Sequence, residues 1–349
     1  MQVHGIDIHG DTFELAIRGD VWASPDGEAV VDLTGFICIP GLLDAHAHLS
    51  SEALQLDPAD PDAIRELAAR AVLSGVTVCL DKGWSDDVVL NLAPSVRSPR
   101  IAAAGRMLRS EDGYWPDFGH LADGSDLVEA VATLAPGRPW VKIVADWPRK
   151  GRGAIANYSE AVLAGAVAQA HAAGAFVATH TMAPEVANMA VRAGVDSIEH
   201  GLYLDADHLD MLGARGGIWV PTILRMEEVL AEMKPGSTGA SVIGEGLENV
   251  RELLSHAVER GVTVMPGSDL TIAPSEIFRE VAALVRYGLT PAQAVAGASA
   301  GHAVGLDMGF RAGLVADLVA VEGDPLQDVA ALADPVVVIA AGKIILDRR

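Results

Sequence analysis

Along the middle of the chain, short apolar runs alternate with stretches whose apolar positions recur every three to four residues. The runs at 38–44, 76–80, 101–104, 140–144, 175–179, 197–199, 219–221 and 262–265 are bounded by turn residues and mostly rich in Val, Ile and Thr, the pattern of buried β-strands. Between most of them the periodicity predicts helices over 62–73, 159–173, 184–193, 206–213, 247–260 and 275–287. In the first of these, Ile64, Leu67, Ala68 and Ala71 share a face. Gly75, Gly174, Gly194 and Gly261 each stand between a helical pattern and the next strand, where a glycine with positive φ closes a helix. Eight strands alternating with helices predict a parallel sheet. A closed (β/α)8 TIM barrel satisfies that pattern, and a doubly wound open sheet is the alternative it leaves open.

The two ends read differently. Residues 11–38 and 310–349 show alternation and turn residues with little helical signal, and strands are predicted at 317–321, 336–340 and 343–346. They are expected to form a small β-sandwich domain from residues 1–38 and 310–349, with the barrel over 39–309. The length of 349 residues suits this division, because such a barrel takes about 250.

Composition narrows the function classes. A net charge of −22 without any dense Lys/Arg stretch argues against nucleic acid as a partner. The densest basic group is the short Arg149-Lys150-Gly151-Arg152. Cys38 and Cys79 lie in apolar runs and read as buried, reduced thiols. Residues 161–178 approach the length of a membrane span, but Gln169 and His171 interrupt them and Gly174 splits them, so a helix followed by a strand is expected there. No basic segment leads into an apolar run at the start, and a cytoplasmic protein acting on a small molecule is expected.

Candidate chemistry gathers at the ends of the predicted strands. His46 and His48, in Asp44-Ala45-His46-Ala47-His48, are two apart on a strand and so point to one side, where they can share an ion. His180 and His200 follow two later strands, and Asp269 follows the last. Barrel enzymes assemble their sites at the C-terminal ends of strands, and imidazole and carboxylate are suitable zinc ligands. Lys142 sits inside a buried strand, where a cation is costly unless it is paired or modified. A carbamate formed from the neutral amine and carbon dioxide would replace that cation with an anion. Glu199, one residue before His200, is expected to point away from the metal face as a structural residue. The loop 106–124 should overhang the mouth, and its Tyr114 and Trp115 are candidates for an apolar substrate wall. Arg106, Arg149, Lys150, Arg152 and Arg225 are basic residues of the predicted loops that could meet a substrate carboxylate.

Taken in order, these segments resemble the amidohydrolase superfamily, in the branch of imidazolonepropionase-like proteins and metal-dependent Xaa-Pro and Xaa-Arg/Lys dipeptidases. The matching pieces are 40–48, 140–143, 177–180, 196–201, 267–269 and 312–319. The resemblance implies a metal held by His46, His48 and Asp269 and a second held by His180 and His200. Carboxylated Lys142 and a hydroxide would bridge them. It implies two divalent ions, zinc first among them, hydrolysis of an amide-like C–N bond, and Asp269 as general acid and base with His200 assisting. The substrate would be a dipeptide, an N-acyl amino acid or a xenobiotic amide. The ranked alternatives are a cyclic amide, lactone or imidazolone ring, then deamination, then a non-catalytic relative. Tyr203 matches a substrate-contacting tyrosine of the dipeptidases, and homo-oligomers are common among the relatives. Several relatives carry Gly-Gly-His where this chain has Asp112-Gly113-Tyr114-Trp115, a departure from the dipeptidase pattern.

Overall fold

The computed structural model describes residues 1–25, 27, 30–50, 60–116, 118–149 and 153–349. Its architecture is TIM-barrel-like α/β. Leu42–Ala47, Val76–Asp81 and Arg100–Ala103 pair in parallel. Trp140–Val144, Phe176–Thr181, Ser197–His200, Ile218–Val220 and Thr263–Val264 form a second parallel series. Leu108, beyond the third strand, pairs with Ile143, and the amide of Ala45 donates to the carbonyl of Pro266 at 2.8 Å, linking the last strand to the first. Alternate positions of these strands, including Leu43, Val78, Trp140, Ala178 and Val220, build one buried cluster. The opposite positions pack against the helices in a larger one. The four helix-closing glycines have φ of 89°, 80°, 91° and 84°.

The predicted strand 38–44 is in fact two. Val30–Ile39 belongs to a different sheet, and the parallel strand begins at Leu42. Pro40 cannot donate to a ladder, and Gly41 has φ of 108°, where a Cβ would meet the Thr77 hydroxyl at 2.3 Å. The chain therefore changes sheets at this pair. The helix predicted at 247–260 starts earlier, as Thr238–Glu259, with the Ser237 side chain capping the Ala240 amide. Gly239, Gly244 and Gly246 hide that first half from a propensity reading. Helices also form at Asp126–Leu134, Ile223–Glu232 and Pro291–Ala298. The last carries a Thr290–Gln293 capping box, a signal readable in sequence.

Both ends of the chain meet in one seven-stranded sheet. Gln2–Asp7, Thr12–Arg18, Val21–Ala23 and Val30–Ile39 join Leu318–Val321, Val337–Ala340 and Lys343–Asp347. Leu33, Cys38, Leu318 and Ile339 are buried on it. Cys38 and Cys79 are both free and buried. Among the described residues, no helix is long and apolar enough to cross a membrane.

Candidate metal centre

Five histidine and aspartate side chains converge at the C-terminal ends of the parallel strands. Nε2 of His46 and Nε2 of His48 lie 3.2 Å apart, and Asp269 Oδ1 lies 3.5 and 3.4 Å from them. Opposite them, His180 Nδ1 faces His200 Nε2 at 2.9 Å. All five residues are buried. Backbone geometry sets these positions. Asp44 Oδ1 accepts from the amides of His46 and Ser268, and the Asp269 amide donates to the His46 carbonyl at 2.9 Å. Gly267 permits the approach, since a Cβ there would sit 2.6 Å from the Cβ of His46. His200, Thr222, Asp269 and Leu270 have φ of 62°, 46°, 35° and 65°, a grouping of left-handed non-glycine residues of the kind that marks functional sites.

The outward nitrogens of three histidines are turned to acceptors. His48 Nδ1 donates to the Gly83 carbonyl at 2.6 Å. His200 Nδ1 donates to the Thr222 hydroxyl at 2.6 Å, which itself donates to the Pro221 carbonyl. His46 Nδ1 lies 2.6 Å from Glu199 Oε2. With the proton on Nδ1, each Nε2 presents a lone pair inward. Burial pushes His46 down to about 4 and His200 to about 3, and holds His180 well below the usual imidazole range. Burial opposes ionisation of Asp269, but facing His46, His48 and His200 outweighs it and keeps the carboxyl well below its ordinary value. Neutral imidazoles and an ionised carboxylate are the states a divalent cation requires. Two lone pairs facing each other at 3.2 Å repel unless a cation lies between them. Two nitrogens on one tetrahedral zinc would stand about 3.3 Å apart, given bonds of about 2.0–2.1 Å. The donor set therefore fits a metal, and His46, His48 and Asp269 form a buried candidate cluster whose ligand atoms all lie within 4.8 Å.

Lys142 lines the same cleft, and its charge acts on His46 of the first group and on His180 and His200 of the second. It is buried, and among the described residues its Nζ has no hydrogen-bond partner. Burial pushes its amine down to about 8, with Lys82 pressing the same way against Glu199 and Asp269. Glu199 does not point away from the site. It is fully buried, touches His46, accepts from Ser197 Oγ at 2.6 Å and lies 3.3 Å from Lys82 Nζ. The left-handed φ of His200 breaks the alternation at this point, so both neighbours reach the interior. Lys82 was not anticipated from sequence. It is fully buried, with Nζ 3.6 Å from the centroid of the Trp140 ring. The signal was available, because Lys82 directly follows the apolar strand Val76–Asp81, the same anomaly that singles out Lys142.

A cleft of about 250 Å³ opens over these donors, and Tyr114, Trp115, Trp147, Met226 and Arg225 line it. Tyr114 and Trp115 thus stand where the loop 106–124 was expected to place them. Trp147, which the sequence did not single out, packs edge-on against Tyr114 and at a tilt to His180, with ring centroids 4.5 and 5.6 Å away.

The amidohydrolase family profile matches residues 37–345. The chain belongs to the amidohydrolase family. An uncharacterized protein of Mycobacterium tuberculosis is 33% identical over 367 residues, covering 98% of this chain and 95% of that one. The ochratoxinase of Aspergillus niger is 27% identical over 249 residues, covering 66% of this chain and 51% of the enzyme. The structure of that ochratoxinase superposes with a TM-score of 0.80 at 21% identity, over 99% of this chain and 95% of the other. A Xaa-Pro dipeptidase with methionine bound superposes with a TM-score of 0.80 at 24% identity, over 98% of each chain. This amidohydrolase is a hydrolase of amide C–N bonds, and it carries a candidate metal site.

The amidohydrolase cleft does not include Tyr203. Its hydroxyl donates to the Val242 carbonyl at 2.7 Å, and its ring packs on the helix-facing core. The helix at Thr238–Glu259, longer than the sequence suggested, supplies that acceptor and holds the ring away from the mouth. Tyr203→Phe is expected to cost about 1 kcal/mol of stability and to leave KM unchanged. A raised KM in that variant would return Tyr203 to the substrate. Of the basic candidates, Arg225 reaches the cleft and pairs with Glu228 at 2.6 Å. Arg149 bonds Ser110 and Asn157 instead, and Arg106 stands 4.0 Å from Asp87. Lys150 and Arg152 lie outside the described residues.

Proposed function

We propose that this amidohydrolase is binuclear. His46, His48 and Asp269 would hold one divalent ion, His180 and His200 the second, and a carboxylated Lys142 would join them. The observation that carries this reading is the buried Lys142 Nζ, which among the described residues has no hydrogen-bond partner, in the cleft lined by both sets of donor atoms. Carboxylation of that nitrogen gives an anion with two oxygens, which fits a position between two cations. Zinc is the proposed metal, from the imidazole and carboxylate donors. The reading takes the parallel strands as a closed (β/α)8 barrel over 39–309. It takes 1–38 and 310–349 as a composite β-sandwich domain. The Ala45–Pro266 bond supports closure.

Ions held there would supply a nucleophilic water near neutral pH and polarise the scissile carbonyl. The residues do the remaining work. Asp269 would accept a proton from the attacking water at a carboxylate oxygen and deliver it to the leaving nitrogen, so that the amide and water become a carboxylic acid and an amine. Its ionised state suits the first transfer. His200, held by Thr222, would help steady the oxygen as charge builds through the ion it holds rather than by a hydrogen bond of its own. Tyr114, Trp115 and Trp147 would exclude bulk water and pack the substrate, an N-acyl amino acid, dipeptide or xenobiotic amide.

Asp269→Asn keeps the shape and removes the proton acceptor. It is expected to lower kcat by about 10²–10⁴-fold, the usual contribution of a positioned acid–base group, in protein that still contains metal by elemental analysis. Full activity with both metals retained would rule out the proton-transfer role.

A further inference from the structure

We infer that the substrate carries an extended aliphatic arm, bound in a groove beside the metal cleft. The inference rests on the hydrolase reading above and names the substrate class of the same site. The groove has a volume of about 530 Å³, and Met182, Met233, Val242, Ile243, Pro148 and Ala154 wall it. Three of these, Pro148, Met182 and Met233, also line the metal cleft. The two spaces are therefore neighbours along a shared apolar wall, and the inferred arm would pass from one to the other beside the two methionines.

Several observations select an aliphatic chain. Among the described residues, no lining side chain of the groove carries a charge, and Thr238 supplies the one side-chain hydroxyl. A polar arm would lose hydration there without compensation, whereas each methylene would gain from burial. The rings of Tyr114, Trp115 and Trp147 line the cleft and not the groove. The groove's larger side chains include two methionines, which adapt to a flexible chain. Small residues at Gly153, Ala154 and Gly239 leave the space open. The cleft by itself, at about 250 Å³, is smaller than the sites that usually hold small molecules, about 300–1,000 Å³. The groove brings the pair into that range. The polar end of the substrate would stay on the cleft side, where Arg225 and Glu232 stand.

Gly239 offers the test position. A Cβ there would point at Met233, 3.3 Å from its sulfur, so a large side chain would fill the groove. The residue is helical, and losing a glycine favours the helix. Two homologous series are measured on the metal-loaded protein. One is kcat/KM for N-acylglycines from acetyl to dodecanoyl. The other is the calorimetric Kd of straight-chain primary alcohols from ethanol to decanol, which need no hydrolysis.

Both series are expected to improve by roughly threefold to fourfold per methylene until the groove is full. In Gly239→Phe that dependence should collapse, with the circular dichroism of the folded chain retained. Cleavage of N-acylglycines at rates independent of chain length would overturn the arm and leave the hydrolase reading standing. Alcohol binding that strengthens with length and is lost in Gly239→Phe, without cleavage of any amide, would keep the groove and sink the hydrolase reading. Equal length dependence in the wild type and Gly239→Phe would overturn the groove assignment.

Discussion

Lys142→Ala protein is expected to retain at most about one metal ion per chain where the unaltered protein retains close to two, and to lose more than ~100-fold in activity. Loss of a group that merely supports a ligand typically costs about 10–100-fold in metal affinity or activity, so a larger effect distinguishes a ligand from a support. The expectation follows from the position of Nζ. It is buried and, among the described residues, without a hydrogen-bond partner, and burial pushes its pKa down to about 8, so a neutral, reactive amine is accessible near neutral pH. In the Ala variant the two donor groups keep their backbone anchors, because those run through Asp44, Thr222 and Gly83 and not through residue 142. Elemental analysis checks the stoichiometry. Addition of a short carboxylic acid supplies a further readout, since a free carboxylate in the vacated space should partly restore metal content. One metal or fewer in both proteins would end the bridging role.

The second large effect is expected from Lys82. Replacing it with Met should destabilise the fold by about 3–5 kcal/mol, the cost of leaving a buried charge without its partner. Glu199 and Lys82 are both fully buried, 3.3 Å apart. Burial opposes both charges. Lys82, with His46 and Lys142, overcomes it for Glu199 and holds that carboxyl well below its usual value, while the Lys82 amine is lowered by burial against the pull of Glu199. The Trp140 face shares the stabilisation of the ammonium. Because Glu199 also touches His46, Lys82→Met should weaken metal retention as well as the fold. Combining it with Glu199→Gln removes the stranded charge and should recover most of the stability. Thermal melts of the two single variants and the double variant, with metal content measured in parallel, test the coupling. Additive losses in the cycle would mean that Lys82 and Glu199 act independently.

Much of the site was legible along the chain because strand ends and donor types are local features. His46, His48, His180, His200 and Asp269 each follow a recognisable apolar run, and a lysine inside such a run, as at position 142, is conspicuous. Local alternation failed where the backbone departs from the regular strand. Glu199 was expected to face away, and the positive φ of His200, which no residue type announces, brings both into the interior. Tyr203 failed for a different reason. Its hydroxyl is claimed by a carbonyl 39 residues away, a pairing that periodicity does not encode.

The sequence by itself determined the alternation of strands and helices, the glycine stops between them, the donor residues, and the union of the two chain ends in β-structure. These depend on the side-chain period and on steric preferences that act over a few residues. The tertiary structure decided where the chain leaves the terminal sheet, at Pro40-Gly41. It also decided which nitrogen of each histidine faces inward, that Lys82 and Glu199 form a buried pair behind His46, and that an apolar groove adjoins the metal cleft. Each of these depends on groups far apart in the chain sharing one volume, and proximity of that kind exists only once the strands have come together.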